Sequence, residues 1–332
     1  MSILDLPTEL LLVLVTFLEE ERDINSLAQT NTRLYNLLNP YLYQRNARHS
    51  KSSALVWAAR NGNLVTAQKS IQAGANLNAQ DSPRRTGTCR FKSQGTALTR
   101  AAEFGHEAIV QLLLNTGQVD LDAKDTLGQS PLSRAADSGH DAIVKLLIET
   151  GQVDLESKDN LDFTPLVHAA YSGHQAVVQL LFDTEAVELE SKDELGFTPL
   201  TYAAAAGHES VVKMFIDSGK VDLDRQSYYG CTPLTEAVEN GREAVVKLIL
   251  ETGRVDVNKT NFEMRTPLYC AVQGGHEGVL KLLLGTGQID FEAQDTEGMT
   301  ALEYAESSGL EVIAELIRQA ASVDGNIKQP DV

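Results

Sequence analysis

The reading of one stretch decides the fold: Ser130-Pro131-Leu132-Ser133-Arg134-Ala135-Ala136-Asp137-Ser138-Gly139-His140-Asp141-Ala142-Ile143-Val144-Lys145-Leu146-Leu147-Ile148, with Gly151 just beyond. The opening Thr-Pro-Leu or a close variant recurs at Thr96, Ser130, Thr164, Thr198, Thr232, Thr266 and Thr300, 34 residues apart each time. A proline at the first helical position gives up no needed N–H, and its φ is already helical. Paired alanines let that helix lie close to its neighbours. Gly105, Gly139, Gly173, Gly207, Gly241, Gly275 and Gly309 suit the left-handed residue that ends a helix. The run Ile143, Val144, Leu146, Leu147, Ile148 predicts a second helix with a broad apolar face, fit to stack between neighbours. Gly117, Gly151, Gly219, Gly253 and Gly287 end that helix, and Asp-x-x-Gly then signals a turn.

This order of residues closely resembles the ankyrin repeat, a unit of about 33 residues with two helices and a β-turn. The resemblance implies an all-α repeat solenoid: an ankyrin repeat stack of helix-turn-helix units joined by β-turn hairpins. About eight repeats are expected over 53–323. The extra residue lies in Gly117-Gln118-Val119-Asp120, and the first unit, from Ser53, lacks it. A basic insertion near 82–95, with Arg84, Arg85, Arg90 and Lys92 and no acid, separates the first unit from the second. It is either a tolerated loop or a reader of acidic or phosphorylated targets. Residues 324–332 read as a flexible tail. Asp162 and Met264 stand where the hairpin glycine is expected. Asp tolerates a left-handed conformation and Met does so poorly, so an altered turn is expected over Phe262–Arg265.

Residues 1–50 do not share the period. Leu10, Leu11, Leu14 and Leu18 form one helical face, yet Leu12, Val13 and Phe17 make the others apolar too. Such a helix requires burial on more than one side. The segment resembles an F-box through Leu6-Pro7-Thr8-Glu9-Leu10-Leu11, then Asp23-Ile24-Asn25-Ser26-Leu27, then Thr30-Asn31-Thr32-Arg33. Only one basic residue stands where that family has a pair. The resemblance implies a small helical domain that binds the Skp-type adaptor of cullin–RING ubiquitin ligases. It assigns adaptor contact to Leu6, Pro7, Glu9, Leu10, Leu11, Leu14, Leu18, Ile24 and Leu27. The plainer reading is a helical cap over the first repeat.

The chain of 332 residues carries net charge −18, and residues 96–332 alone carry −22. So acidic a body repels phosphate backbones, and no nucleic acid partner is expected. The apolar run Leu10–Leu18 is too short to span a bilayer and has no basic flank, so no membrane association is expected and the location reads as cytoplasmic or nuclear. Three cysteines, Cys89, Cys231 and Cys270, make no disulfide framework. No catalytic motif is present, and no enzyme activity, cofactor or metal is expected. His106, His140, His174, His208 and His276 share one repeat position, which reads as structural. The carboxylate pairs Asp120/Asp122, Asp154/Glu156, Glu188/Glu190, Asp222/Asp224 and Asp290/Glu292, with Asp256 and Asn258 in the same register, read as a solvated acidic stripe, the alternative being a basic partner or weak cation binding.

In the family that the repeats resemble, partners bind at hairpin tips and first helices. Carried over by the period, those positions hold Trp57, Phe104, Arg134, Phe163, Tyr171, Phe197, Tyr202, Tyr228, Tyr229, Phe262 and Arg265. Aromatic and Arg side chains dominate interface energies, so these are the expected target-binding residues. Together the two resemblances imply a protein-binding adaptor: a Skp–cullin–F-box substrate-recognition subunit whose repeats hold an unknown protein target. The alternative is an ankyrin scaffold without a ligase role.

Overall fold

In the computed structural model, residues 42–44, 46, 53–81 and 94–323 are described. The nine expected adaptor-contact residues between Leu6 and Leu27 lie outside these. So do the C-terminal tail and all of the basic insertion except Gln94 and Gly95. By its packing the chain divides into Met1–Asp159 and Asn160–Val332, and each unit is described by itself.

In the first unit, α1 (Ser53–Asn61) and α2 (Leu64–Gln72) form a pair. They are followed by α3 (Ala97–Glu103) with α4 (Glu107–Leu114), and α5 (Pro131–Asp137) with α6 (Asp141–Glu149). The inner helices pack in chain order, α1 on α3 and α3 on α5, while α2, α4 and α6 form a parallel outer row. Ala58, Ala59, Ala101, Ala102, Ala135 and Ala136 have no accessible surface. Their methyl groups are why the inner helices can approach so closely. In the outer row Ile109, Val110 and Leu113, and again Ile143, Val144 and Leu147, are buried. Each such side chain taken from water contributes about 1.5–3 kcal/mol, and most of that depends on a neighbouring pair.

The second unit repeats the plan five times among the described residues. Its inner helices are α7 (Pro165–Tyr171), α9 (Pro199–Ala206), α11 (Pro233–Glu239), α13 (Pro267–Gln273) and α15 (Ala301–Ser307). Its outer helices are α8 (Gln175–Asp183), α10 (Glu209–Ser218), α12 (Glu243–Leu250), α14 (Glu277–Leu284) and the longer α16 (Glu311–Val323). The expected all-helical repeat fold is therefore found. The only β pairing among the described residues is an isolated bridge, Gln294 to Thr300.

The first residue of each repeat motif is a helix N-cap. Ser130, with ψ 166°, accepts from the Ser133 N–H at 3.2 Å, and Thr232 accepts from the Thr235 N–H at 3.1 Å. The proline then fills the first turn. The repeated histidine begins the outer helix but does not cap it with its side chain. Instead its Nε2 reaches a carbonyl oxygen near the end of the inner helix of the preceding repeat. His106 lies 3.1 Å from Arg60 O, His140 3.2 Å from Glu103 O, His208 2.8 Å from Tyr171 O and His276 3.1 Å from Glu239 O. Arg242, which replaces the histidine in one repeat, donates its Nε–H to Ala205 O at 3.0 Å. The imidazole lies against a glycine of the preceding repeat. At Gly173, φ +76°, an added Cβ would come 2.5 Å from His208 Nδ1, so bare backbone is required there.

One expectation is corrected. Met264 does not alter its turn. It adopts φ +57°, and its N–H donates to Asn261 O at 3.0 Å, as the Gly230 N–H donates to Ser227 O at 3.1 Å. Ladder contacts to the adjoining hairpins over-determine the turn and hold a side chain in a conformation that favours glycine. Replacing Met264 with Gly should raise stability by about 0.5–1 kcal/mol, the relieved strain being partly offset by unfolded-state entropy. Urea unfolding of the two proteins side by side checks this.

Candidate functional site

Each hairpin is shaped by one short polar side chain at its start. Asp193 Oδ1 accepts from the Leu195 and Phe197 N–H groups at 2.9 and 2.8 Å. Ser227 Oγ does the same for Tyr229 and Cys231, both at 3.2 Å, and Asn261 Oδ1 for Glu263 and Arg265, both at 3.0 Å. Successive hairpins are joined by backbone bonds. The Tyr228 N–H donates to Leu195 O and the Phe262 N–H to Tyr229 O, each at 2.9 Å. The turn is thus complete without the side chains at its tip, which project outward.

The expected target-binding residues separate into three groups. Trp57, Phe104, Tyr171, Tyr228, Tyr229 and Phe262 are exposed, and the last three are 59, 55 and 70% exposed. Phe163, Phe197, Tyr202 and Arg265 are half-buried. Arg134 does not belong to the surface. It is buried, and its Nε donates to Asp125 Oδ2 at 2.8 Å beneath the hairpin. A guanidinium there satisfies a carboxylate that two backbone N–H groups of the turn, Leu127 and Gln129, already share. Tyr202 acts similarly: its hydroxyl donates to Asp193.

In the first unit the Arg60 guanidinium lies 5.4 Å from the Phe104 ring centroid. In the second unit the rings are continuous. Tyr202 meets Phe163 at 4.9 Å, Phe197 at 5.6 Å and Tyr171 at 5.7 Å between centroids, and Phe197 meets Tyr229 at 6.5 Å. These contacts fix the half-buried rings, so Tyr229 and its neighbours stand on an aromatic base. Met264, 54% exposed, adds a thioether beside Phe262. It escaped the sequence reading because a residue in a glycine position reads as a backbone exception and not as surface.

Two carboxylates stand on α11, Glu236 half-buried and Glu239 exposed. Burial, then the nearby Glu239 charge, pushes Glu236 up to about 7. Burial also pushes the Cys231 thiol up to about 12, with Glu236 and Glu239 adding to the effect, and raises Cys270. Both thiols are free, buried and protonated at neutral pH, the unreactive form. Among the described residues no group of three or more His, Cys, Asp or Glu side chains could hold a metal ion. No helix among them is long and apolar enough to cross a membrane.

The carboxylate pairs are more than a solvated stripe. Their second members tie repeats together: Asp122 Oδ1 accepts from the Asp154 N–H at 3.0 Å, Glu190 Oε1 from Asp222 at 2.9 Å, and Asp224 Oδ2 from Asp256 at 3.0 Å. Asn258 plays the same part toward Asp290 at 2.9 Å. Burial raises the Asp122 and Asp224 carboxyls despite these donors.

A family model described as ankyrin repeats in three copies matches residues 27–125, 55–159, 98–193, 185–261 and 254–329. The chain therefore belongs to the ankyrin-repeat family, and it is a protein-binding scaffold. The first match begins at residue 27, inside the segment that resembles an F-box. No curated protein gives a significant match to the chain.

Glu236 makes the surface pH-sensitive in stability. Its folded value lies above the usual carboxylate value, so the fold favours the protonated form. The ionised group opposes folding above about pH 7, and the opposition fades as pH falls to the unfolded value. Glu236→Gln should therefore melt higher than the parent at pH 8 and at the same temperature at pH 4, as thermal unfolding at both pH values will read.

Proposed function

We propose that this scaffold is the target-recognition subunit of a Skp–cullin–F-box ubiquitin ligase, with residues 1–50 docking the adaptor and the hairpin face holding a protein target. The observation that carries target binding is the exposure of Tyr228, Tyr229 and Phe262 at positions where the hairpin needs no side chain. Tyr228 and Phe262 each lie against a glycine of the preceding hairpin, Gly196 and Gly230, and still leave more than half of their surface in water, and rings of this kind anchor interfaces. Adaptor docking rests on Leu6-Pro7-Thr8-Glu9-Leu10-Leu11 and the motifs after it. The chain's contribution would be proximity, holding a target lysine near a ubiquitin-charged enzyme bound elsewhere.

A second reading, the scaffold with its N-terminal helices as a cap, is favoured by contacts just ahead of the first repeat. The Asn46 carboxamide accepts from the Ala54 N–H at 2.9 Å and donates to Ser53 Oγ at 2.9 Å, closing the start of α1. The Tyr43 hydroxyl lies 3.4 Å from Thr66 Oγ1 on α2, and Lys69 lies 6.0 Å from the Tyr43 ring centroid.

Adaptor binding separates these readings, and a second experiment tests the target face that both share. Leu6→Ala with Pro7→Ala should weaken capture of a Skp-type adaptor by about a hundredfold, the effect of a few kcal/mol, with the repeats still folded. If the intact chain shows no adaptor binding at micromolar concentration, the cap reading stands. Tyr229→Ala with Phe262→Ala should abolish target capture in pull-downs while the melting temperature changes little, because both rings are exposed.

A further inference from the structure

The hairpin face of the second unit has a chemical preference of its own. In α3, Arg100 and Glu103 stand three residues apart and pair at 2.6 Å. The same two repeat positions of α11 hold Glu236 and Glu239. Like charges replace an ion pair, and among the described residues no cation contributes to the surroundings of Glu236. The side-chain donors to this pair are thiols, Cys231 toward Glu236 and Cys270 toward Glu239 at 3.4 Å, and thiols are weak donors.

Of this pair, Glu236 is half-buried next to the hairpin and Glu239, at the end of α11, is exposed. Cys231 closes the hairpin that bears Tyr228 and Tyr229, accepting from the Ser227 N–H at 2.9 Å. On the other side Tyr202 feels the Glu236 charge, and Phe197 links Tyr202 to Tyr229. Nearby cations are committed elsewhere. Lys192 donates to Gln226 O at 2.8 Å and lies 5.4 Å from the Tyr228 ring centroid, and Arg265 pairs with Glu263 and faces Tyr269 at 5.3 Å. Residues 160–332 carry 28 acidic and 12 basic side chains, so the surroundings deepen the negative potential. At the far end, Met264 holds a left-handed conformation where glycine serves in most other hairpins, and it is exposed two residues from the exposed Phe262.

We propose that the face running from Leu195 through Tyr228, Tyr229 and Glu236 to Phe262 and Met264 docks an extended basic segment of a partner protein. A Lys or Arg side chain of the partner enters over Glu236 and Glu239, and flanking apolar side chains lie on the rings. This rests on the target-binding reading above and adds the chemistry of the target. The entering cation exchanges two thiol donors for charge-assisted hydrogen bonds and meets aromatic faces as well.

A random peptide library displayed on phage, selected on the full chain, tests the proposal. Enriched peptides should combine Lys or Arg with aromatic or aliphatic residues. Synthetic copies should bind about tenfold more weakly to Glu239→Lys, a change at an exposed position, and to Glu236→Gln. Replacing the peptide's basic residue with Glu should restore binding to Glu239→Lys. Neutral or acidic peptides that lose binding on Tyr229→Ser with Phe262→Ser, yet ignore the charge variants, would overturn the basic segment and leave the target face intact. Peptides indifferent to both sets of changes, or no enrichment, would overturn both.

Discussion

Close stacking of alanine-walled inner helices is the contact on which the rest of the molecule depends. A pair of helices seven to nine residues long cannot bury its own apolar stripe. Each pair is completed by the next, and only methyl-sized side chains permit the approach. Once it is made, polar groups of one repeat come within reach of backbone groups in another. The imidazole of His140 finds the Glu103 carbonyl, and Asp122 finds the Asp154 N–H. Stability is then a sum of neighbour terms.

That arrangement divides the side chains by role. Alanines, the apolar outer-helix residues and the capping Thr or Ser are committed to the stack. The hairpin's first residue, Asp193 or Ser227 or Asn261, is committed to its turn. Only the tip and one face of the inner helix are left to vary, and there the chain places rings, a strained methionine and a pair of acids. Arg134 shows the boundary between the roles. It stands at a variable position, yet the buried Asp125 draws it into the scaffold.

The acidic character also divides. The recurrent pairs that begin at Asp120 and Asp122 bridge repeats through backbone donors, so their recurrence has a structural cause. Glu236 and Glu239 do not recur, and the half-buried Glu236 carries the burden of a like charge beside it. Regular acids help to hold the stack together, whereas the irregular pair has no such bridging role among the described residues.

The period of 34, the proline and glycine positions and the small pairs determined the repeat fold without any coordinates, because each is a local requirement of a helix start, a helix end or a close approach. The outward rings at 228, 229 and 262 were legible for the same reason: the period assigns them to tips. The burial of Arg134, the bridging role of Asp122 and the undisturbed turn at Met264 were not legible. Each is settled by an atom in another turn or another repeat, whose distance no spacing along the chain records. Local chemistry shapes the unit, but which side chains stay free for a partner depends on what the neighbouring repeat supplies, and only packing decides that.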